Sequence, residues 1–191
     1  MSLYSLYTLR IHQAACWSHD GRVLVFAVAN EPALYSLQFQ DVGNGDNKTS
    51  VAKGARLAVR CADLTSYSWE LDEELVTVGG CVRSMAWDPL GERLAVIFKD
   101  EGKHAQELVA VFKTRLKPTF EIMPSGFVRG PPNTVPELVT FQQDFKKGAL
   151  LTVCWSDGCV SFIPLLFSPS SHNASPSQFE NGTFANSLSS H

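Results

Sequence analysis

The sequence predicts an all-β protein, and three observations support this fold class. Short runs rich in valine, leucine and phenylalanine recur along most of the 191 residues, and Gly, Pro, Asn, Asp or Ser residues separate them. A five-residue unit occurs twice, as Trp-Ser-His-Asp-Gly at 17–21 and as Trp-Asp-Pro-Leu-Gly at 87–91. An apolar run precedes and follows each copy, and this arrangement is typical of a β-hairpin with a tight turn.

Each copy of the unit predicts two strands, one that ends at the tryptophan and one that starts after the glycine. The strands fall at residues 14–17 and 23–28, at 84–87 and 94–98, and, in a less regular third copy, at 138–141 and 148–153. The turn of the third copy is three residues longer than the other two. The positions that define the repeat are Trp17, Gly21, Trp87, Asp88, Pro89, Gly91, Phe141 and Gly148.

Further strands follow each unit along the chain. A third strand is predicted at residues 33–39, 108–112 and 159–163, and a fourth at 57–64 and 119–123 in the first two units. Four short strands per repeat are typical of a propeller blade. The sequence therefore predicts a WD-repeat β-propeller segment of about three four-stranded blades, which we expect to be incomplete because propellers close with about four to eight blades.

The spacing of the repeats predicts long loops. The equivalent aromatic residues Trp17, Trp87 and Phe141 lie 70 and then 54 residues apart, whereas a WD-repeat blade has ~40–45 residues. The extra residues are expected in loops at 40–55, 99–106 and 113–136, where a propeller can carry partner contacts.

The composition divides the chain into three parts. Residues 1–15 form a divergent N-terminal segment, and residues 16–167 form the blades. Residues 168–191 are rich in Ser and Asn and poor in large apolar side chains. Such a segment cannot offset its ordering entropy by burial, so we expect a disordered tail.

Charge and motif content argue against several classes of function. The net charge is −3 with no basic block, which disfavours direct nucleic-acid binding, and no apolar run approaches the ~20 residues of a membrane helix. The five cysteines are scattered and odd in number, so reduced thiols in the cytosol or nucleus are expected. The sequence has no zinc-ligand spacing and no nucleotide-binding fingerprint, so we predict no metal and no cofactor.

A few residues could carry a site. Residues 18–20 are Ser-His-Asp, the residue types of a hydrolase triad, but neighbours in sequence do not readily converge as a triad must, so a turn is favoured and no enzyme is predicted. Trp17 and Trp87 are expected to pack in the core between blades. Trp69 lies in a polar and acidic stretch, 66–74, between the predicted strands, so we expect it to contact a partner.

Three segments, in order along the chain, resemble the aladin family of WD-repeat nucleoporins. They read EPALYSL at 31–37, GGCVRSMAWDPLGERLAV at 79–96, and FKKGALLTVCWS at 145–156 with IPL at 163–165. The resemblance covers most of residues 16–167 and corresponds to the C-terminal part of the family, whereas the first ~15 residues depart from the family pattern.

The resemblance implies a non-enzymatic scaffold of the nuclear pore complex at the nuclear envelope. It implies a role in nucleocytoplasmic transport, nucleoporin partners that include a transmembrane nucleoporin, and a link to the mitotic spindle and its poles. Two alternatives share the same blade pattern. One is a WD-repeat adaptor of another assembly, such as a ubiquitin ligase or a trafficking coat, and the other is a propeller hydrolase.

Overall fold

The structure is a computed structural model that describes residues 12–39, 57–71, 74–99 and 107–167. The predicted tail at 168–191, the loop at 40–55 and most of the loop at 99–106 lie outside the described residues, as do the first eleven residues of the N-terminal segment.

The described residues form thirteen β-strands and no helix. The strands are β1 (His12–Trp17), β2 (Val23–Val28), β3 (Ala33–Gln38), β4 (Val59–Asp63), β5 (Tyr67–Leu71), β6 (Glu74–Val78), β7 (Val82–Trp87), β8 (Arg93–Phe98), β9 (Leu108–Arg115), β10 (Glu121–Arg129), β11 (Pro136–Phe141), β12 (Gly148–Trp155) and β13 (Val160–Leu166).

The strands form three antiparallel sheets and one hairpin. The first sheet has the order β1-β2-β3-β4, the second β7-β8-β9-β10 and the third β11-β12-β13, while β5 pairs with β6. In each sheet the strands follow one another in sequence, as in a propeller blade. The predicted fold class is confirmed, with one difference in the third sheet, which contains three described strands.

Two predicted loops contain strands. The stretch 66–74, predicted to lie between strands, contains β5 and the start of β6. The hairpin is held in the fold by Val76 and Val78 of β6, which are buried in the core. The predicted loop at 113–136 holds the whole of β10, which starts within the strand predicted at 119–123, continues to Arg129 and pairs with β9 despite Pro124. The pairing of β9 with β10 has a bulge between Pro124 and Gly126. Strand β10 is an edge strand of its sheet, where proline and glycine are tolerated.

Each sheet has two distinct faces, which we name by the repeat aromatic. The leading face carries this aromatic: Ala15, Trp17, Leu24 and Phe26 in the first sheet, Met85, Trp87, Leu94 and Val96 in the second, and Val139, Phe141, Leu151 and Val153 in the third. The trailing face is the opposite one: Cys16, Val25, Ala27 and Leu34 in the first sheet, Ala95, Ile97, Val109 and Val111 in the second, and Leu138, Thr140, Leu150, Thr152, Cys154, Val160, Phe162, Pro164 and Leu166 in the third.

Two hydrophobic cores join the sheets. In the first core, the trailing face of the first sheet, including Val25, packs on the leading face of the second, including Leu94 and Val96. In the second core, Ile97 and Val109 on the trailing face of the second sheet pack on the leading face of the third. Strand β7 contacts both β1 and β11, so the first strands of the three sheets are neighbours, as around a propeller axis.

Candidate partner-binding surfaces

The repeated turn has the same backbone geometry in both copies. The Ser18 N–H donates to the Val23 carbonyl (2.8 Å), and the equivalent Asp88 N–H donates to the Arg93 carbonyl (2.9 Å). The N–H groups of Gly21 and Gly91 donate across the turn to the carbonyls of Ser18 (2.9 Å) and Asp88 (3.0 Å), respectively. The glycines have φ of 68° and 73°, a left-handed conformation that glycine adopts without the steric cost of a Cβ.

The side chains that hold the turn differ between the copies. Asp88 is buried, and its carboxylate accepts hydrogen bonds from the backbone N–H groups of Leu90 (2.9 Å), Glu92 (2.6 Å) and Arg93 (2.5 Å). One buried carboxylate therefore satisfies three backbone donors that the turn itself leaves without a partner.

In the first copy, Ser18 and Asp20 share this role. The Ser18 hydroxyl accepts from the Val23 N–H (2.9 Å) and donates to Asp20 Oδ1 (2.7 Å), which also accepts from the Arg22 N–H (3.1 Å). The hydrogen bond from Ser18 is the first cause that lowers the pKa of Asp20. Ser18 thus directs its hydroxyl proton to Asp20, two residues away, and the Ser-His-Asp stretch serves as a turn.

The repeat aromatic residues differ strongly in burial. Phe141 is 5% exposed, Trp87 is half-buried, and Trp17 is 52% exposed. Trp87 donates from Nε1 to Thr114 Oγ1 (3.0 Å), whereas Trp17 packs against Phe39 with 5.1 Å between ring centroids. The prediction that Trp17 packs in the core between blades is therefore wrong. Trp17 lies on the leading face of the first sheet, and no described sheet precedes this face.

The predicted partner contact Trp69 lies in β5, opposite Val76 of β6, and its side chain falls outside the described residues. The hairpin around it presents exposed side chains, Tyr67 on β5 and Leu75 on β6. The Ser68 and Thr77 hydroxyls lie 2.7 Å apart across the two strands. The β5–β6 hairpin therefore exposes both apolar and hydroxyl side chains at the surface.

A second apolar surface is the trailing face of the third sheet, which sequence reasoning missed. Its outermost strand presents Val160, Phe162 and Leu166 to solvent, and Leu138 of β11 is also exposed. The nine residues of this face include no charged side chain. The sequence signal was present, since 160–166 has apolar residues at both even and odd positions, as in a strand with two buried faces.

Three of the cysteine thiols have raised pKa values and are therefore weakly reactive. Burial raises the pKa of Cys16 to about 12 and that of Cys61 to about 11. The hydrogen bond with Asp157, followed by the charge of that carboxylate, raises the pKa of the exposed Cys159. These three thiols are therefore protonated at neutral pH, and a thiol is a weak nucleophile and metal ligand.

Two further properties concern metals and membranes. In the described ranges, no three His, Cys, Asp or Glu side chains are grouped so that they could hold a metal ion. The same part of the chain contains no apolar helix of membrane-spanning length.

Comparison with known proteins identifies the relationship. No protein-family model matches the chain. Aladin from Arabidopsis thaliana is 31% identical to it over 156 residues, which cover 80% of this chain and 31% of aladin. The chain thus spans about a third of the length of this relative, and the matched part includes most of the described strands. The sequence similarity and the all-β sheets agree, and the chain is an aladin-like protein.

Proposed function

We propose that this chain is a non-enzymatic scaffold of the nuclear pore complex, located at the nuclear envelope and supporting nucleocytoplasmic transport. The observation that carries the proposal is the 31% identity to aladin over 80% of the chain, because the family resemblance implies a WD-repeat nucleoporin. The mechanism is binding by complementary surfaces that rigid sheets hold in place.

The exposed apolar residues of the described strands supply such surfaces. Trp17 and Phe162 are large aromatic side chains exposed on sheet faces whose opposite sides are packed in the two cores. A rigid backbone loses little entropy on binding, and aromatic residues dominate the binding free energy of protein interfaces. The partners in this proposal are other nucleoporins, including a transmembrane nucleoporin that holds the chain at the envelope.

Two more specific proposals concern Trp69 and the mitotic spindle poles. Trp69 contacts a partner from the β5–β6 hairpin, where Tyr67, two residues earlier on the same strand, adds exposed apolar surface. A link to spindle poles in mitosis follows from the same family resemblance and would use the same protein-binding surfaces.

Imaging and affinity capture of the tagged full chain test the proposal. We expect a signal at the nuclear rim in interphase and recovery of nucleoporins from nuclear envelope extracts. A Trp69→Ala variant should lose at least one nucleoporin, and a Leu90→Ala variant, altered at an exposed turn residue, serves as its control. A diffuse signal, with recovery of ubiquitin-ligase subunits or coat proteins, would contradict the nuclear-pore role.

A further inference from the structure

The β5–β6 hairpin is fixed at its base. The Gly80 N–H donates to the Leu64 carbonyl (2.6 Å), and Val76 and Val78 are buried in the first core. Gly79 has φ of 108° and lies so close to the Leu64 carbonyl that a Cβ would be 2.7 Å from its oxygen. Within the described ranges, the two strands pair only with each other. The hairpin is therefore a rigid two-stranded sheet.

This hairpin lacks the features that protect the edges of other strands. Proteins block strand edges with proline, bulges or lysine. In this chain β10 has Pro124 and a bulge, and β13 has Pro164. The pairing of β5 with β6 runs without a register shift, and residues 66–80 include no proline, lysine or arginine. The hairpin thus retains the regular backbone that an added strand requires.

Strand β5 is the outer strand of the hairpin. Its described side chains, Tyr67, Ser68 and Glu70, are all exposed, whereas Val76 and Val78 of β6 are buried. An added strand on β5 therefore displaces no residue of the core.

The backbone of β5 directs polar groups outward at two residues. Two residues separate Leu71 from Glu74, and these form the pair nearest the turn. That pair is hydrogen-bonded in a two-residue hairpin, and hydrogen-bonded pairs alternate with pairs that are not. Ser68 and Glu70 therefore direct their N–H and C=O groups away from β6. The 2.7 Å between the Ser68 and Thr77 hydroxyls agrees, because side chains lie closer in a pair without backbone hydrogen bonds.

Charge selects the kind of segment that can pair here. Residues 66–80 include four acidic and no basic side chains, whereas the rest of the chain, with 16 basic and 15 acidic residues, has a net charge of +1. Opposite charges across neighbouring strands are stabilising and like charges are not. A second copy of the hairpin is therefore repelled, and a basic segment is attracted.

We infer that an extended segment of a partner protein, rich in Lys or Arg, adds to β5 as a third strand of this hairpin. Backbone hydrogen bonds to Ser68 and Glu70 supply affinity, and a basic residue opposite Glu70 supplies specificity. The inference rests on the proposed role of the hairpin in partner binding and gives the chemistry of the partner.

Fluorescence anisotropy on the full chain tests the charge requirement, with a labelled peptide of about nine alternating lysine and threonine residues, the length of one strand. We expect binding that weakens as salt concentration rises. Glu70→Lys should raise the dissociation constant at least about three-fold, because an attractive cross-strand pair becomes repulsive. The control Asp144→Lys makes the same change of charge at an exposed turn residue between β11 and β12, and it should bind like the unchanged chain.

A second pair of variants tests the backbone contact. Ser68→Pro removes an N–H that points away from β6, so it should raise the dissociation constant at least about five-fold while β5 stays paired with β6. Ser68→Ala loses the same hydroxyl but keeps the N–H, and it should bind like the unchanged chain. Slower hydrogen exchange of the Ser68 and Glu70 amides in the peptide complex checks the same contact without a variant.

Three results would overturn the inference: no binding at low salt, equal affinities for Ser68→Pro and Ser68→Ala, or equal losses for Glu70→Lys and Asp144→Lys. These binding results are independent of location in the cell. A chain at the nuclear rim that does not bind the peptide through β5 would remove the inference and leave the nuclear-pore role. A diffuse chain that binds the peptide through β5 would remove that role and leave the inference.

Discussion

At the scale of single residues, the turn between β7 and β8 depends on a buried carboxylate. Asp88 accepts three backbone hydrogen bonds, whereas the first copy divides the same task between Ser18 and Asp20. The two solutions differ in their exposure, because Asp20 lies at the surface and Asp88 does not. A buried donor that loses its acceptor costs more free energy than one that can turn to water.

Asp88→Ala should therefore lower the free energy of unfolding by about 2–3 kcal/mol, since it leaves several donors of the turn without a partner. Asp20→Ala should cost less, within about 1 kcal/mol, because water can replace an exposed acceptor. Urea denaturation of both variants, at one fixed protein concentration, measures the difference. Equal losses for the two variants would contradict this account of the turn.

The outcome for Trp17 shows why burial could not be predicted residue by residue. Trp17 and Trp87 have the same place in the repeat and the same turn after them, so their sequence patterns are equivalent. Their exposure differs because a sheet precedes Trp87 and no described sheet precedes Trp17. A neighbour that the local sequence does not encode decides the burial of such a residue.

At the scale of elements, the strands around the repeated turn were the most predictable part of the fold. Strands β1, β2, β7 and β8 lie within about two residues of their predicted bounds, because a tryptophan, a turn and a glycine fix where each strand ends. The hairpin β5–β6 was missed because acidic residues surround its two core valines. In the third sheet, β13 was predicted. Its apolar residues stand at both odd and even positions, so the sequence does not show which face of the strand packs against another sheet.

The hairpin makes an element-scale prediction about packing. Val78 is buried in the first core, whereas Leu75 is 57% exposed on the other side of β6. Val78→Ala should lower the free energy of unfolding by about 2 kcal/mol through lost burial and a residual cavity, and Leu75→Ala should change it by less than about 0.5 kcal/mol. Chemical denaturation of the two variants is the measurement. A Val78→Ala variant as stable as Leu75→Ala would mean that the hairpin is not part of the core.

At the scale of the whole molecule, the second sheet belongs to both hydrophobic cores, because its leading face packs on the first sheet and its trailing face on the third. Unfolding of the described sheets should therefore be one cooperative transition. Circular dichroism and tryptophan fluorescence during urea denaturation check this prediction, and the two signals should give the same midpoint. Different midpoints would mean that the sheets unfold separately.

The directional contact between sheets also bears on how such a protein can change in length during evolution. Because every sheet presents one kind of surface forward and another backward, duplication or loss of a whole repeat recreates the same two termini. Removal of the third sheet would uncover Ile97 and Val109, which are as apolar as the surface removed. Loss of a repeat therefore exposes an equivalent apolar face one sheet earlier, and the number of repeats can vary while the way in which neighbouring sheets pack stays the same.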